Sequence, residues 1–314
     1  MVRHATLPVG LATDDVMPDG RLVSSRRDAL RQIPSVRNGY SVVSVYLQTA
    51  LLIFCAIHFG PIVWIPTIVL MGRAHAQFAS LMHEAAHRLL FRNRSLNDFC
   101  GRWIIGYVAF TNTDAYRRVH MAHHREEFGP NEPDIALYAN YPISTASWRR
   151  KLLRDAEGRT GLRLLRDQLR GARSEVKVVR HTLFKILAVQ GVLILVAIVS
   201  GYWWVYPLFW LLPYLTVWRV INRLRSVAEH GGLMASSDRR VTTHSVKQHW
   251  SARLFLVPFN IGYHLAHHVD AGVPFRNLPK YHQMLVDSTY VSGGADGQGY
   301  QYPNYRSLWS ALHS

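Results

Sequence analysis

Cysteine and acidic residues are both scarce in this chain. Its 314 residues include two cysteines, Cys55 and Cys100, which lie in apolar stretches and form no CxxC pair. These residues therefore provide neither a disulfide framework nor a cysteine-ligated iron–sulfur or rubredoxin-type electron carrier. Only 20 residues are Asp or Glu, against 36 Lys and Arg, so the formal net charge is +16. A basic balance of this size fits either nucleic acid or a membrane surface, and the positions of the basic residues decide between them.

Long apolar runs are the second feature of the sequence. Residues 1–39 lack the apolar core of a cleavable signal peptide. Four apolar runs follow, at residues 40–59, 61–81, 182–201 and 203–220. Each is about 20 residues long, enough for a helix that crosses a hydrocarbon core about 30 Å thick. The runs come in two closely spaced pairs, which predicts two hairpins of transmembrane helices.

The basic residues avoid the tips of these hairpins. No Lys or Arg lies around Gly60 or around residues 201–202, whereas the N-terminal segment and residues 88–180 are rich in arginine. The positive-inside rule then places the N-terminus, the middle segment and the C-terminus in the cytoplasm. Membrane topology accounts for the basic excess, so we expect no nucleic acid partner.

Histidines gather in three pentapeptides: HEAAH at 83–87, HMAHH at 120–124 and HLAHH at 264–268. Positions i, i+3 and i+4 share one face of a helix, so each cluster is predicted to present its imidazoles in one direction. Each cluster lies on the predicted cytoplasmic side. One metal rarely takes more than six ligands, so the eight imidazoles indicate two ions. The predicted ligands are His83, His87, His120, His123, His124, His264, His267 and His268, with His230, just beyond the fourth apolar run, as a ninth.

Few carboxylates interrupt these clusters, which favours one kind of metal chemistry over others. Imidazole suits iron, copper and zinc, but zinc has no redox chemistry and its structural sites close with four ligands. A pair of iron ions that activates dioxygen fits the pattern better, and its task would be to cleave a C–H bond of a lipid. Acidic residues close to the clusters are predicted to support the imidazoles: Glu84, Asp114, Asp134, Glu229 and Asp270.

The three pentapeptides resemble, in order, spacing and topology, the histidine boxes of the integral-membrane fatty acid desaturase family. The resemblance covers roughly residues 43–285, and PFNIGYHLAHH is similar to the acyl-lipid branch. It implies an all-α integral membrane fold, with four transmembrane helices in two hairpins and a cytosolic helical cap that holds a di-metal site. It also implies two iron ions as cofactor and dioxygen as co-substrate. The implied partners are a lipid or acyl-chain substrate, membrane lipids, and an external electron donor such as ferredoxin with its reductase.

The resemblance predicts that the protein introduces a double bond into a fatty acyl chain. The first box has three residues between its histidines, which favours an acyl-lipid or acyl-carrier substrate over an acyl-CoA substrate. Hydroxylation or ketolation of a lipid or carotenoid by the same di-iron centre is the alternative. A remote alternative is a membrane zinc protease, because HEAAH also satisfies the HExxH signature with Glu84 as general base.

Three regions are predicted along the chain. Residues 1–39 form a cytosolic N-terminal segment, residues 40–285 the membrane desaturase-like domain, and residues 286–314 a cytosolic C-terminal tail. No endoplasmic reticulum retrieval signal and no His-Pro-Gly-Gly haem-binding segment occur in the sequence. We therefore expect a bacterial cytoplasmic membrane rather than the endoplasmic reticulum.

Overall fold

A computed structural model describes residues 12–291 and 301–313 and is mostly helical over them, as predicted. The α-helices, numbered in chain order, are α1 (Ser24–Leu30), α2 (Ser35–Phe59), α3 (Trp64–Ala86), α4 (Arg94–Phe99), α5 (Thr113–Arg125), α6 (Ile135–Tyr138), α7 (Thr145–Ala156), α8 (Arg159–Arg170), α9 (Lys177–Val199), α10 (Leu212–Leu215), α11 (Val217–His230), α12 (Arg239–Thr242), α13 (Trp250–Phe255), α14 (His264–Val269), α15 (Leu278–Asp287) and α16 (Tyr305–Ala311).

The described part of the chain also contains other helix types and one small sheet. The 3₁₀ turns are Gly60–Val63 and Gly171–Arg173, and the π-helical turns are Cys100–Gly106 and Tyr206–Leu211. Two short strands, β1 (Ser245–Val246) and β2 (Gln301–Tyr302), pair in parallel, with Ser245 opposite Gln301.

The chain forms two compact units. The first contains residues 12–33, 118–148, 224–291 and 301–313, and the second contains residues 34–117 and 149–223. Helices α5, α7 and α11 contribute residues to both units. Residues 1–11, 292–300 and 314, which belong to the two predicted terminal segments, lie outside the described residues.

In the second unit, α2 and α3 fold back on each other as an antiparallel hairpin. Gly60 makes the turn with a φ of 65°, a left-handed value that favours glycine. Near the middle of the hairpin, Arg73 Nη1 donates to Gln48 Oε1 at 2.8 Å, and the rings of Tyr46 and Phe78 meet edge to face with centroids 5.4 Å apart. These contacts confirm that the first predicted pair of apolar runs forms a hairpin of two helices.

Within residues 12–291 and 301–313, two helical stretches are long and apolar enough to cross a membrane: residues Ser35–Ala86, which include α2 and α3, and helix α9. Large apolar side chains on both stretches are exposed, including Leu47 (65% exposed) on α2 and Val199 (78% exposed) on α9. Extended exposed apolar surface marks a contact with a membrane or a partner. The positions agree with the first three predicted transmembrane helices.

The fourth predicted transmembrane helix, residues 203–220, is not one continuous helix. The chain makes the π-helical turn Tyr206–Leu211, continues as α10, and breaks at Thr216 (φ −116°, ψ −85°) before α11 begins. Pro207 and Pro213 lack the backbone N–H that a regular helix needs, so the i to i−4 hydrogen-bond pattern is interrupted. Thr216 Oγ1 also donates to the Leu212 carbonyl at 2.7 Å. Most of the run is helical, as predicted, but the helix is interrupted at these two points. That this run crosses a membrane stays a prediction.

The first unit includes parts of both predicted terminal segments. Near the N-terminus, the Gly20 carbonyl accepts a hydrogen bond from Tyr281 Oη at 2.8 Å, and the Leu30 carbonyl accepts one from Asn277 Nδ2 at 2.7 Å. Near the C-terminus, Leu308 is fully buried and Trp309 Nε1 donates to the Leu224 carbonyl at 3.0 Å. The described parts of these segments are therefore packed parts of the unit.

Replacing Gly161 by alanine should destabilise the second unit. A Cβ at this position would lie 2.3 Å from the Leu215 carbonyl oxygen and 2.6 Å from its Cα, and backbone atoms cannot move aside as a flexible side chain can. Such overpacking costs about 1–3 kcal/mol.

The matched control is Gly191→Ala on α9, where an added Cβ meets nothing within 4 Å. This change should leave the protein equally or slightly more stable, because alanine suits a helix better than glycine. Thermal unfolding of the detergent-solubilised protein measures both variants. Equal melting temperatures for the two would contradict the close packing of α8 on Leu215.

Candidate metal centre

Local sequence sets the positions of the helices that carry the histidines. Asn112 Oδ1 accepts from the backbone N–H groups of Asp114 and Ala115, both at 3.1 Å, and so caps the start of α5. Before α14, Phe259 and Asn260 adopt positive φ, and Asn260 Nδ2 donates to the Phe275 carbonyl at 3.2 Å. These turns fix where the HMAHH and HLAHH helices begin.

In the first unit, one group of imidazoles comes together from α5 and α14. His124 Nε2 lies 3.1 Å from His120 Nε2 and 3.0 Å from His267 Nε2. The ligating nitrogens of the three rings all lie within 4.8 Å of one another. A metal ion between them could be held by the second and third predicted boxes together.

A second group in the same unit adds the histidine at the end of α11. His264 Nε2 lies 3.0 Å from His230 Nε2 and 3.0 Å from His268 Nε2. His123 joins them, since it forms with His230 and His268 a set whose nitrogens lie within 4.8 Å of one another. The structure thus brings seven predicted ligands together in the first unit, in two adjacent groups.

Hydrogen bonds to Nδ1 set the direction in which three of these rings point. His268 Nδ1 donates to Glu127 Oε1 at 2.5 Å, and His123 Nδ1 donates to both oxygens of Glu132 at 3.0 Å. His230 Nδ1 donates to the Thr242 carbonyl at 2.8 Å. When a neutral imidazole carries its proton on Nδ1, its Nε2 has a free lone pair. Partners of this kind hold and polarise the imidazoles of metal sites.

The donor set of the second group fits a cation. Burial lowers the pKa of His230, His264 and His268 well below the usual value, and neighbouring cationic groups lower it further, so these rings are neutral near pH 7. A neutral His264 has one proton to offer, yet its Nε2 faces two Nε2 atoms that both carry lone pairs. At least one of these close pairs therefore opposes lone pair to lone pair. A metal ion between the nitrogens would turn that repulsion into coordination.

His123 differs from its neighbours in charge. Burial lowers its pKa, but the hydrogen bond and negative charge of Glu132 more than offset this, so the pKa of His123 is raised overall. The same pairing outweighs burial at Glu132 and lowers the pKa of that carboxyl. Tyr138 Oη also lies 3.3 Å from His123 Nδ1. Without metal, His123 and Glu132 form a buried ion pair.

Glu127 connects both groups. Its carboxylate accepts from His268 and from Arg239, and Arg239 Nη2 also donates to the His124 carbonyl at 2.9 Å. Burial raises the pKa of Glu127, although Arg239 opposes the shift. Sequence reasoning missed Glu127 and Glu132. Their place, three and eight residues after HMAHH, was the available signal.

In the second unit, His83 and His87 lie at the carboxyl end of α3 with ring centroids 4.7 Å apart. This end is fixed by side chains that donate to its last carbonyls. Arg117 bonds the Ala85 and Ala86 carbonyls at 3.0 and 2.8 Å, and Asn97 Nδ2 bonds Ala85 at 2.9 Å. A guanidinium at a helix C-terminus also matches the helix dipole.

The five carboxylates predicted from the sequence have different partners. Asp114 accepts from Arg102 at 2.7 Å, and Asp270 accepts from Arg31 at 2.7 Å. Glu229 accepts from Arg225 at 2.6 Å and lies 3.7 Å from His264 Nδ1. Asp134 has a carboxylate oxygen within 4.8 Å of the His123 and Glu132 ligand atoms, and Glu84 is buried on α3. Support of an imidazole stays a prediction for Glu84 and Asp134, and Asp114 and Asp270 are paired with arginine.

Comparison with known proteins adds an independent observation. Residues 59–295 match the sequence profile of the family described as fatty acid desaturase. Dihydrorhizobitoxine desaturase of Bradyrhizobium elkanii is 28% identical over 255 residues, which cover 74% of this chain and 70% of that protein. Delta(5) fatty acid desaturase fat-4 of Caenorhabditis elegans is 33% identical over 61 residues, or 19% of this chain and 14% of that protein. The profile match includes all three histidine clusters and His230.

Replacing Glu127 by glutamine should weaken metal binding. The amide keeps the shape of the side chain but loses the charge that polarises His268, and such outer partners typically contribute about 10–100-fold in affinity. Chelator competition, read by elemental analysis, measures the change. Glu126→Gln, one residue earlier, is the control and should bind as the unchanged protein does. Equal affinity in both variants would remove Glu127 from the centre.

Metal uptake at pH 6.5 should release protons from His123. Because its pKa is raised above the ordinary value of about 6.5, the ring is protonated in more than half of the metal-free molecules at that pH. Glu132→Gln removes the group that raises this pKa, so the variant should release fewer protons. Titration calorimetry with Zn²⁺, a redox-silent probe, in buffers of different ionisation enthalpy counts them. Release should also fall as pH rises through the raised pKa. Identical proton counts in the two proteins would exclude His123 as a ligand.

Proposed function

The chain belongs to the fatty acid desaturase family, and we propose that it is a membrane-bound oxidoreductase that introduces a double bond into a fatty acyl chain. The observation that carries this proposal is the convergence of seven buried or half-buried imidazoles in the first unit. Six of them have Nε2 atoms 3.0–3.1 Å from a neighbouring Nε2, and a ligating nitrogen of His123 lies within 4.8 Å of those of His230 and His268. Such a donor set suits a redox-active metal.

The proposed cofactor is a pair of iron ions. The proposed ligands are the nine histidines of the sequence prediction: His83, His87, His120, His123, His124, His230, His264, His267 and His268. When bound, the two irons would use dioxygen and electrons from an external donor to oxidise the substrate. Glu127, Glu132 and the Thr242 carbonyl hold three of the rings in orientation. The carboxylates of Glu127 and Glu132 would also offset part of the positive charge of bound metal.

The proposed reaction balances with dioxygen and an external reductant. Two adjacent methylene groups lose two hydrogens and become a double bond, while dioxygen takes up these hydrogens, two further electrons and two protons to give two waters. The sequence has no CxxC or haem-binding motif to supply the electrons. We propose ferredoxin with its reductase, or a similar carrier, as the donor.

We propose that the chain makes four membrane passes, with both termini in the cytoplasm of a bacterial cell. The candidate spans, Ser35–Ala86 and α9, both fall in the second unit. The described N-terminal residues 12–33, the C-terminal residues 301–313 and the seven grouped histidines share the first unit. Their common location in one unit supports the proposal that both termini and these histidines lie on the same side of the membrane. Residues 40–285 are the proposed desaturase domain.

Desaturation is favoured over hydroxylation or ketolation because both relatives are named desaturases. The name of one of them gives dihydrorhizobitoxine as the molecule acted upon, so the test should include small metabolites besides lipids. The zinc protease alternative loses its basis, since HEAAH lies within the matched family range together with the other two boxes.

Expression in a host of known lipid composition tests the proposal. The protein should produce molecules that have lost two hydrogens, measured by mass spectrometry of extracted lipids and of small metabolites. His268→Ala should abolish this product and lower iron content, because His268 lies in the second imidazole group. His181→Ala, an exposed histidine outside both groups, should change neither. A gain of oxygen instead of a loss of hydrogen would replace desaturation by hydroxylation. A product yield in the His268→Ala variant equal to that of the unchanged protein would show that His268 is not part of the site.

A further inference from the structure

Helix α8 and the 3₁₀ turn after it carry a row of five arginines. We call it the arginine stripe: Arg159, Arg163, Arg166, Arg170 and Arg173. The spacing of four, three, four and three residues places them on one helix face. All five side chains are exposed.

The opposite face of α8 is packed, which fixes the direction of the stripe. Gly161 lies against the backbone of Leu215 so closely that no Cβ would fit, and Gln168 Nε2 donates to the Phe110 carbonyl at 2.7 Å. Thr160 is buried beside Asp155 and bonds to its carboxylate at 2.5 Å. Because these residues hold α8 to the second unit by one face, the stripe points away from the interior of that unit.

Exposed leucines border the stripe. Leu162 and Leu169 are seven residues apart, so they share a line along the helix next to the arginines. They are 52% and 43% exposed. A helix with an arginine-rich strip beside an exposed apolar strip is typical of one that lies in the interface of a bilayer. On a helix face that contacts only water, these leucines would not add to the stability of the protein.

The charge of the stripe is only partly balanced by the protein. Arg159 pairs with Glu157 at 3.2 Å, and Arg170 pairs with Asp167 at 2.7 Å. Among the described residues, Arg163, Arg166 and Arg173 have no carboxylate partner in an ion pair. Between residues 149 and 185 there are twelve Lys and Arg against four Asp and Glu. This local excess calls for an anionic partner outside the chain.

The stripe also lies next to a candidate membrane span. The turn after α8 leads within a few residues into α9, and the Cβ of an alanine at Gly171 would lie 3.3 Å from Val179 Cγ1. Val176 and Val178, at the junction, are 58% and 63% exposed. Exposed apolar side chains therefore continue from the stripe into the apolar helix.

We propose that the arginine stripe docks on the phosphate groups of anionic lipids, with Leu162 and Leu169 inserted among the acyl chains. Guanidinium groups bind phosphate in a bidentate manner, and each basic residue near an anionic surface contributes roughly fivefold in affinity at low salt. The exposed leucines favour a lipid surface over an acidic protein. The proposal rests on the membrane position proposed for α9 and does not depend on the metal centre.

Spin labels test the proposal on the full chain. Cys55 and Cys100 are first replaced by alanine, and a single cysteine at Leu162 is labelled with a nitroxide. The protein is reconstituted in vesicles of phosphatidylcholine with about one-third phosphatidylglycerol or without it. Collision with oxygen, enriched in acyl chains, is compared with collision with a water-soluble nickel chelate. With anionic lipid, the label should meet oxygen more and nickel less.

Two comparisons test whether the arginine stripe causes the shift of the Leu162 label toward oxygen. The R163Q/R166Q/R173Q variant should lose the shift toward oxygen at position 162, and salt at about 0.5 M should reduce it in the unchanged stripe because salt screens surface charges. The R21Q/R27Q/R306Q variant makes the same change in net charge at exposed arginines elsewhere and should keep the shift.

A label at Val192, in the middle of α9 and 59% exposed, reports on the membrane position of that helix. Suppose that the Val192 label collides with oxygen, while the Leu162 label collides equally with the nickel chelate in vesicles with and without anionic lipid. The docking proposal is then wrong, although α9 still crosses the membrane. If the Leu162 label is hidden from both reagents, a protein covers the stripe and the proposal is overturned. If Val192 is itself open to nickel, the proposed membrane position fails and the docking proposal fails with it.

Discussion

Imidazole nitrogens that face one another at about 3 Å in a buried space cannot all be satisfied by their own protons. The first unit holds two such groups, joined through Glu127. Burial keeps His230, His264 and His268 neutral, so at least one pair of their Nε2 atoms opposes lone pair to lone pair unless a cation lies between them. The packing around the groups must therefore hold the rings against this repulsion, or rely on a metal ion to remove it.

The surrounding contacts of the first unit hold the rings in several independent ways. Glu132, Glu127 and the Thr242 carbonyl each hold one ring through Nδ1, and Arg239 links Glu127 to the backbone of α5. Because these partners come from separate segments, no single helix decides the geometry. The site is a property of the whole unit.

Apolar length was a good guide to helices except where proline interrupted the backbone pattern. The first three predicted transmembrane helices correspond to α2, α3 and α9, with bounds that differ by a few residues. Residues 203–220 are equally apolar, but Pro207 and Pro213 produce a π-helical turn and a break at Thr216. Hydropathy measures the free energy of transferring a side chain between water and lipid. It contains no information on hydrogen bonds within the backbone.

The sequence by itself determined which residues can bind a metal, since the spacing of i, i+3 and i+4 requires the imidazoles of a helical HxxHH to share one face. It also determined the mostly helical class and the family. Only the tertiary structure decided which rings meet, that Glu127 and Glu132 support them, and that Asp114 and Asp270 pair with arginine instead. The reason is the distance along the chain over which each kind of contact is set. Helical spacing is a property of neighbours along the chain, whereas a carboxylate finds its partner through the packing of segments far apart in sequence.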